Sequence, residues 1–517
     1  MDLFYYFILL IAVISASCAG SDADMKCASR DYGHGSVVCV CNATYCDTIT
    51  TTRPVPYQSV SVFTSTKGGH RFSFSVTKLS TKSKISTNNV VITLNKTIKY
   101  QTIKGFGGAI TDAATVNIKN LTSRTQEQLI KAYFGPMGIE YNLGRVPMAS
   151  CDYSTRKYTY LDTPNDFNLS TFELAKEDMM LKIPVLKSIH QVSSRNISLY
   201  ASPWTAPAWM KTNNDEIGRG WLKGTAGDKY HKTWAQYFIK FFEEYKKQGI
   251  TFWGVTAQNE PSNGLLISSK WQSTGFTPEM QRDFIKSDLG PALKASEFKN
   301  VKLMILDDQR LFLPSFPLTV LSDKDAAQYV SGIGIHWYWD WLVGPEVLAD
   351  THEKLPGYFM LATEACNKDT PQPDLGNWET GEKYSNDILD NLNNWAVGWV
   401  DWNLCLNLAG GPNWAQNFDD SPIITNATGD EFYKQPMYYH MGHFSKFLVE
   451  ESVRIKSTIQ GNSDLKFVAV ERPDGSLVLV VLNSSTKDVT FNVVQDNLSF
   501  TNTIPANAIQ TFSWSDK

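Results

Sequence analysis

At 517 residues the chain exceeds one ordinary domain, which leaves two or three units or one barrel with additions. Its 42% hydrophobic and 19% charged residues are those of a folded globular protein without low-complexity tracts or an internal repeat. The formal net charge of −4 gives no basis for nucleic-acid binding, which calls for a basic patch or stripe.

Residues 1–19, MDLFYYFILLIAVISASCA, read as a secretory signal, an apolar stretch followed by small residues, although Asp2 stands where a basic residue is usual. No later run is apolar and long enough to span a bilayer. Cys27, Cys39, Cys41 and Cys46 then crowd together, a density that suits disulfides in an oxidising lumen. Four cysteines allow three pairings, and the spacing chooses none of them. A zinc site would need a second close pair with ribbon-like spacing, and none follows. Cys151, Cys366 and Cys405 lie far apart and read as buried free thiols. Asn42, Asn95, Asn120, Asn168, Asn196, Asn426, Asn483 and Asn497 head glycosylation sequons, so a glycoprotein is expected.

Residues 53–98 are rich in Ser, Thr and Val with little helical periodicity. From about residue 99 short apolar runs alternate with amphipathic stretches. The runs are GFGGAIT (105–111), YNLGRVPMAS (141–150), ISLYASPW (197–204) and FWGVTAQN (252–259). VKLMILD (301–307), GIGIHWY (332–338), YFMLATE (358–364) and VGWVDWN (397–403) follow. A helix is expected over 233–249, with Thr233 as N-cap and Gly249 at its C-terminal stop. Eight strands separated by helices make a (β/α)8 barrel, an α/β fold, spanning 99–451. The tail, 452–517, contains two alternating runs joined by Pro-Asp-Gly, a hairpin signal. With 53–98 it is expected to form one β-sandwich interrupted by the barrel, while 20–52 forms a small antiparallel β domain.

In such a barrel the chemistry sits at the C-terminal ends of the strands. Those ends carry Arg145, Asp152, Trp204, Asn259, Glu260, Asp307, Asp308, Arg310, His336, Tyr338, Glu364 and Trp402. Glu260 and Glu364 are 104 residues apart, about three strand–helix units of about 31 residues each, which places them on the fourth and seventh strands. Two carboxyl groups facing one mouth are what glycoside hydrolysis requires: one protonates the leaving oxygen, and the other attacks or activates water. Arg145 near Glu364 would favour its anionic form. P-loop, His-Glu-x-x-His, Gly-x-Ser-x-Gly and dinucleotide signatures are missing, and His440 and His443 lack a companion carboxylate motif for a metal.

The segments SVVCVCNATYCD, GFGGAITDAA, RVPMASCDYS, ASPWTAPAWMKTN, NEPSNGLL, GFTPEMQRDFI, LDDQR, HWYWDWL, ATEAC, DWNLCLN, GGPNW and FYKQPMYYHMGHFSKF, in this order, resemble glycoside hydrolase family 30 over nearly the whole chain after the signal. The resemblance implies a retaining β-glucosidase acting on glucosylceramide in membranes, with Glu260 as acid/base and Glu364 as nucleophile. It implies that Asp152, Trp204, Asn259, Tyr338, Trp402 and Asn417 line the sugar pocket, that Arg145 orients Glu364, and that Asp307, Arg310 and His336 support them from behind. Disulfides Cys27–Cys39 and Cys41–Cys46 are implied, as are a saposin-like activator and a lysosomal transport receptor; no metal or cofactor is called for. Thr363, Gln258 and the loop 265–276 depart from the family pattern and bear on aglycone preference more than on chemistry.

An enzyme of the lysosome lumen, or one secreted from the cell, must then meet a bilayer without spanning it. No basic amphipathic helix serves this, so Trp209, Trp271, Trp339 and Trp341 are the candidate contacts. Protonating the eight His moves the formal charge from −4 to +4, which favours an anionic phospholipid surface at lysosomal pH. The competing expectations are a relative acting on another β-glycoside, such as a β-xyloside or soluble β-glucoside, and an inactive carbohydrate-binding glycoprotein.

Overall fold

The structure is a computed structural model that describes residues 24–51, 56–81, 90–368 and 373–515. The expected signal at 1–19 lies outside the described residues. Eight parallel strands close into a barrel: β1 (Gly105–Ala109), β2 (Leu143–Met148), β3 (Ser198–Pro203), β4 (Gly254–Thr256), β5 (Lys302–Gln309), β6 (Val330–His336), β7 (Phe359–Glu364) and β8 (Ala396–Asn403). Each falls on one of the eight apolar runs. Helices cover the outer faces and side chains fill the inside, so most strand residues are buried and the runs read as continuously apolar instead of alternating. Gly107 shows how tightly the first strands approach, since a Cβ there would lie 2.0 Å from the Leu143 carbonyl oxygen.

The helix expected from Thr233 starts earlier, at Lys229, and runs to Lys247. Its N-cap is Asp228, whose carboxylate accepts from the amides of Tyr230 (2.9 Å) and His231 (3.1 Å) and so satisfies two orphan donors. Thr233 lies inside the helix instead, its hydroxyl 3.3 Å from the Phe167 carbonyl. Gly249, with φ +82°, follows the helix end as expected and supplies the left-handed backbone of the turn.

A ten-stranded sheet, folded on itself, packs its own core of Val60, Val62, Ile92, Leu94, Phe491, Phe500, Phe512 and Trp514 beside the barrel. It joins strands from both sides of the barrel segment: Ser59–Thr66, Ser73–Lys78, Ser80–Thr81 and Val90–Thr102 come before it, and six strands from Val453 to Trp514 follow it. The Pro-Asp-Gly hairpin links Lys466–Glu471 to Leu477–Asn483, with Gly475 at φ +81°. Val90–Thr102 runs on to within three residues of β1, so a strand of the sandwich leads directly into the barrel.

The cysteine-rich start forms the antiparallel pair Ser29–Asp31 and Val37–Asn42 and carries disulfides Cys27–Cys39 and Cys41–Cys46. It does not stand alone. Val37–Asn42 pairs with Glu431–Lys434, which continues through Ile423–Asn426 to Leu406–Asn407, so three strands from beyond β8 complete a five-stranded sheet. Asn483 is buried and its amide donates to the Lys487 and Pro505 carbonyls, so that sequon is closed to a glycan in the folded chain. Among the described residues no helix is long and apolar enough to cross a membrane.

Candidate active site

The C-terminal ends of the barrel strands surround a cavity of about 390 Å³. Asp152, Trp204, Asn259, Glu260, Tyr338, Glu364, Trp402 and Asn417, all singled out from the sequence, line it. Asn263, Gln309 and Lys368 line it too and were not singled out from the sequence; Trp271 and Trp339, named above as membrane contacts, complete the wall.

Glu364 is the last residue of β7 and is 5% exposed. Arg145, wholly buried on β2, pairs directly with its Oε2, and the Tyr338 hydroxyl donates to its Oε1 at 2.7 Å. The same guanidinium donates to Asn259 Oδ1 (2.7 Å), Asp307 Oδ2 (2.9 Å) and Ser202 Oγ (3.2 Å). It lies 4.9 Å and 5.4 Å from the ring centres of Trp204 and Trp402, which stack on each other at 5.1 Å. One cation thus orients the carboxylate, the asparagine and the aromatic wall. Burial opposes its charge, but Asp307 and Glu364 more than compensate and raise its pKa further.

Glu260 sits in the turn beyond β4 with φ +40°, a left-handed conformation that is strained for a side chain of this size. Its amide donates to the Asp307 carbonyl at 2.8 Å, which ties this turn to β5. Oε1 accepts from Gln309 (2.9 Å) and from His336 Nδ1 (3.1 Å), and Asn263 donates to Oε2. Burial pushes the Glu260 carboxyl up, but the bond and charge of His336, with Lys368 and Arg145 behind, leave it below the usual carboxylate range.

β5 bulges between Leu306 and Asp308, where Leu306 (φ +68°) and Asp307 (φ +55°) are both left-handed. The bulge gives two successive carboxylates different partners. Asp307 accepts from Arg145, Thr256 (2.7 Å), Thr363 (2.7 Å) and His336 Nε2 (2.9 Å), while Asp308 accepts from the Ser262 amide at 2.9 Å. Burial works against Asp307 as an anion, yet Arg145 and His336 hold it well below its ordinary value. At Asp308 burial, then the nearby Glu260, outweigh the Ser262 amide and the charge of His336 and carry it up to about 7. His336 lies between Glu260 and Asp307, and although burial opposes its charge, the surrounding carboxylates Glu364, Asp307 and Glu260 raise it to about 10.

Arg310 is placed differently from the other supporting residues. It pairs with Asp340 and lies 3.9 Å from Asp387, so it braces the turn beside Trp339 and not either glutamate. Asp152 Oδ2 accepts from Asn413 (3.2 Å) and Asn417 (3.1 Å), and burial raises that carboxyl to about 7. Among the described residues the grouping Glu260, His336 and Glu364 has the spacing of a metal site. Both nitrogens of His336 are engaged by carboxylates, so the ring has no lone pair to give an ion and the donor set does not fit one. Cys41 and Cys46, beside Asp47, are likewise committed to their disulfide.

The turn carrying Glu260 also borders a second, apolar cavity of about 200 Å³ lined by Leu265, Phe276, Phe312 and Phe316, with Ser262 and Asp308 on the shared side. Around it stand the exposed Leu266, Ile267 (81%), Leu311, Trp341 (80%) and Leu342 on the segments after β4, β5 and β6, with Leu318 on the helix Ser315–Leu321. Trp209 is no part of this strip, because its indole donates to the Leu161 carbonyl and its ring packs edge-on against Phe167.

The glycosyl hydrolase family 30 TIM-barrel domain matches residues 103–448, and the family's β-sandwich domain matches 451–512. The lysosomal acid glucosylceramidase of Mus musculus is 50% identical over 493 residues, which cover 94% of this chain and 95% of that protein. The crystal structure of SrfJ from Salmonella typhimurium superposes with a TM-score of 0.82 at 25% identity, over 89% of this chain and all of that one. An endo-β1,6-glucanase superposes with a TM-score of 0.77 at 26% identity, over 88% of this chain and all of its own. The barrel, the appended sandwich, the paired glutamates and these matches agree: the chain is a glycoside hydrolase and belongs to glycosyl hydrolase family 30.

Proposed function

We propose that this chain is a retaining β-glucosidase that releases glucose from glucosylceramide at a membrane surface by double displacement. Its strongest support is the approach of Glu260 and Glu364, whose nearest carboxylate oxygens lie within 4.8 Å of one another in a common cavity. Retaining enzymes place the pair about 5–5.5 Å apart, so that one attacks while the other handles the proton.

Glu364, oriented by Arg145 and Tyr338, attacks the anomeric carbon. Glu260 gives its proton to the glycosidic oxygen, the bond to the lipid breaks, and ceramide leaves. A water then loses a proton to Glu260 and attacks the same carbon, which frees Glu364 and yields glucose with its configuration kept. Asn259, fixed by Arg145, is suited to the sugar 2-OH, and Trp204 and Trp402 supply the apolar wall. Asp152 and Asn417 take the hydroxyl edge, and Asp307 and His336 hold the machinery in place.

A lipid aglycone suits the surroundings. The turn bearing the acid/base lies between the polar cavity and the apolar one, and three successive loops carry exposed apolar side chains toward solvent. These fit an enzyme that settles on an anionic phospholipid surface without crossing it, in the lumen of the lysosome. A saposin-like activator and a transport receptor follow from the family resemblance alone. The test is release of glucose from glucosylceramide in acidic-phospholipid vesicles near lysosomal pH, with Glu364→Gln as control. Turnover abolished by the substitution supports the reading. Greater activity on β-xylosides or soluble β-glucosides points to another substrate, and inactivity on all of them to a binding protein.

A further inference from the structure

Lys368 is a charged residue of the sugar cavity that the two-carboxylate mechanism leaves without a task. It stands four residues beyond Glu364 and shares the cavity wall with Asp152, Trp271, Tyr338 and Asn417. Its ammonium lies 4.6 Å from the centre of the Tyr338 ring and 6.0 Å from that of Trp271, which places it over two aromatic faces. Asp419, 1% exposed, supplies a carboxylate 3.7 Å away. The side chain is about a third exposed, so it is anchored by charge yet open to a ligand.

Asp152 is its natural counterpart. Both amides that reach Asp152, from Asn413 and Asn417, donate to Oδ2. That leaves Oδ1 for a ligand hydroxyl. Burial raises the Asp152 carboxyl, and the charge of Lys368, in the same cavity wall, lowers it. A sugar hydroxyl is both donor and acceptor, and neighbouring hydroxyls of one ring can satisfy a carboxylate and an ammonium together.

We propose that Lys368 is a sugar-binding residue: with Asp152 it grips adjacent hydroxyls of the glucose ring, the ammonium donating to one and the carboxylate accepting from the other. This rests on the β-glucosidase reading and adds a determinant of sugar preference to it. The bland alternative is that Lys368 only neutralises buried Asp419. A charge-assisted hydrogen bond at a partly exposed site predicts a loss of about tenfold.

The experiment compares wild type, Lys368→Met, Lys368→Arg and the double variant Lys368→Met/Asp419→Asn on 4-nitrophenyl β-glucoside and its monodeoxy analogues. Lys368→Met is expected to raise KM for the parent glucoside about tenfold, with kcat nearly kept. One deoxy analogue, lacking the gripped hydroxyl, should be poor for wild type yet lose nothing further in Lys368→Met. Lys368→Arg should restore part of the loss, and the double variant should stay impaired on the parent glucoside. An equal loss on every analogue, or recovery of wild-type kinetics in the double variant, overturns the inference while leaving the glucosidase reading intact. A wild type that cleaves no β-glucoside overturns both.

Discussion

Glu260 and Glu364 face each other across one cavity with carboxylate oxygens within 4.8 Å, although they rise from β4 and β7, three strands apart around the barrel. An inverting enzyme keeps its carboxyl groups about 6.5–9.5 Å apart to admit a water between acid and sugar. The shorter gap here predicts that β-glucose is the first sugar released. Following anomeric proton signals by NMR from the start of the reaction decides this, and α-glucose appearing first would refute a covalent route through Glu364.

In the proposed mechanism His336 would set the pH range over which Glu260 acts as the acid. Its nitrogens lie 3.1 Å from Glu260 and 2.9 Å from Asp307, and its pKa of about 10 keeps it charged at every working pH. A fixed cation favours the ionised form of its neighbour, so Glu260 takes up its proton only in acid. Removing the cation lets the Glu260 pKa rise. In His336→Asn the alkaline limb of kcat/KM, where the acid loses its proton, should therefore move to higher pH by about one unit. A limb that stays or moves to lower pH would show that His336 does not control Glu260.

Asp307 is the counter-charge to two buried cations. Substituting Asn leaves Arg145 and His336 sharing fewer anions, a loss of about 3–5 kcal/mol as for one member of a buried pair. Its folded pKa is depressed, so its contribution is present above the ordinary aspartate range and is lost as pH falls through the folded value. Urea unfolding of Asp307→Asn at neutral pH should show the full deficit, and the gap to wild type should narrow only in strong acid. Equal stability at neutral pH would mean that the network relaxes around the missing charge.

The barrel was legible because a strand buried on both faces writes itself as an unbroken apolar run, and all eight runs became strands. The glutamates were legible because a strand end in a barrel faces the mouth. The start of the helix at Lys229 was not, since its first turn, Lys-Tyr-His-Lys, shows no apolar period and only the carboxylate of Asp228 marks it. Pairing between Val37–Asn42 and Glu431–Lys434 leaves no local trace, because the partners lie at opposite ends of the chain. Gln309, Asn263 and Lys368 look like ordinary loop residues. What makes them cavity residues is the bulge of β5, the left-handed turn at Glu260 and the path of the chain after β7, all properties of the backbone.

The apolar cavity beside Glu260 makes a separate demand on the substrate. Leu265, Phe276, Phe312 and Phe316 line it within reach of the loops that carry Leu266, Ile267 and Leu311. The turn from Glu260 to Asn263 separates this cavity from the sugar site, so an aglycone that leaves past Glu260 on this side is expected to place its hydrocarbon tail there. Each methylene removed from water contributes up to about 0.8 kcal/mol, or roughly fourfold in affinity, until the space is full. KM for alkyl β-glucosides should thus fall with chain length and then level off. Thr319, on the helix Ser315–Leu321, also lines this space, and Thr319→Phe would fill it without removing any packed side chain. That variant should cleave methyl β-glucoside as wild type does but lose the dependence on chain length. If octyl and methyl glucosides keep their wild-type KM ratio in Thr319→Phe, the tail lies along the exposed loops instead, and Ile267 and Trp341 become the residues to change.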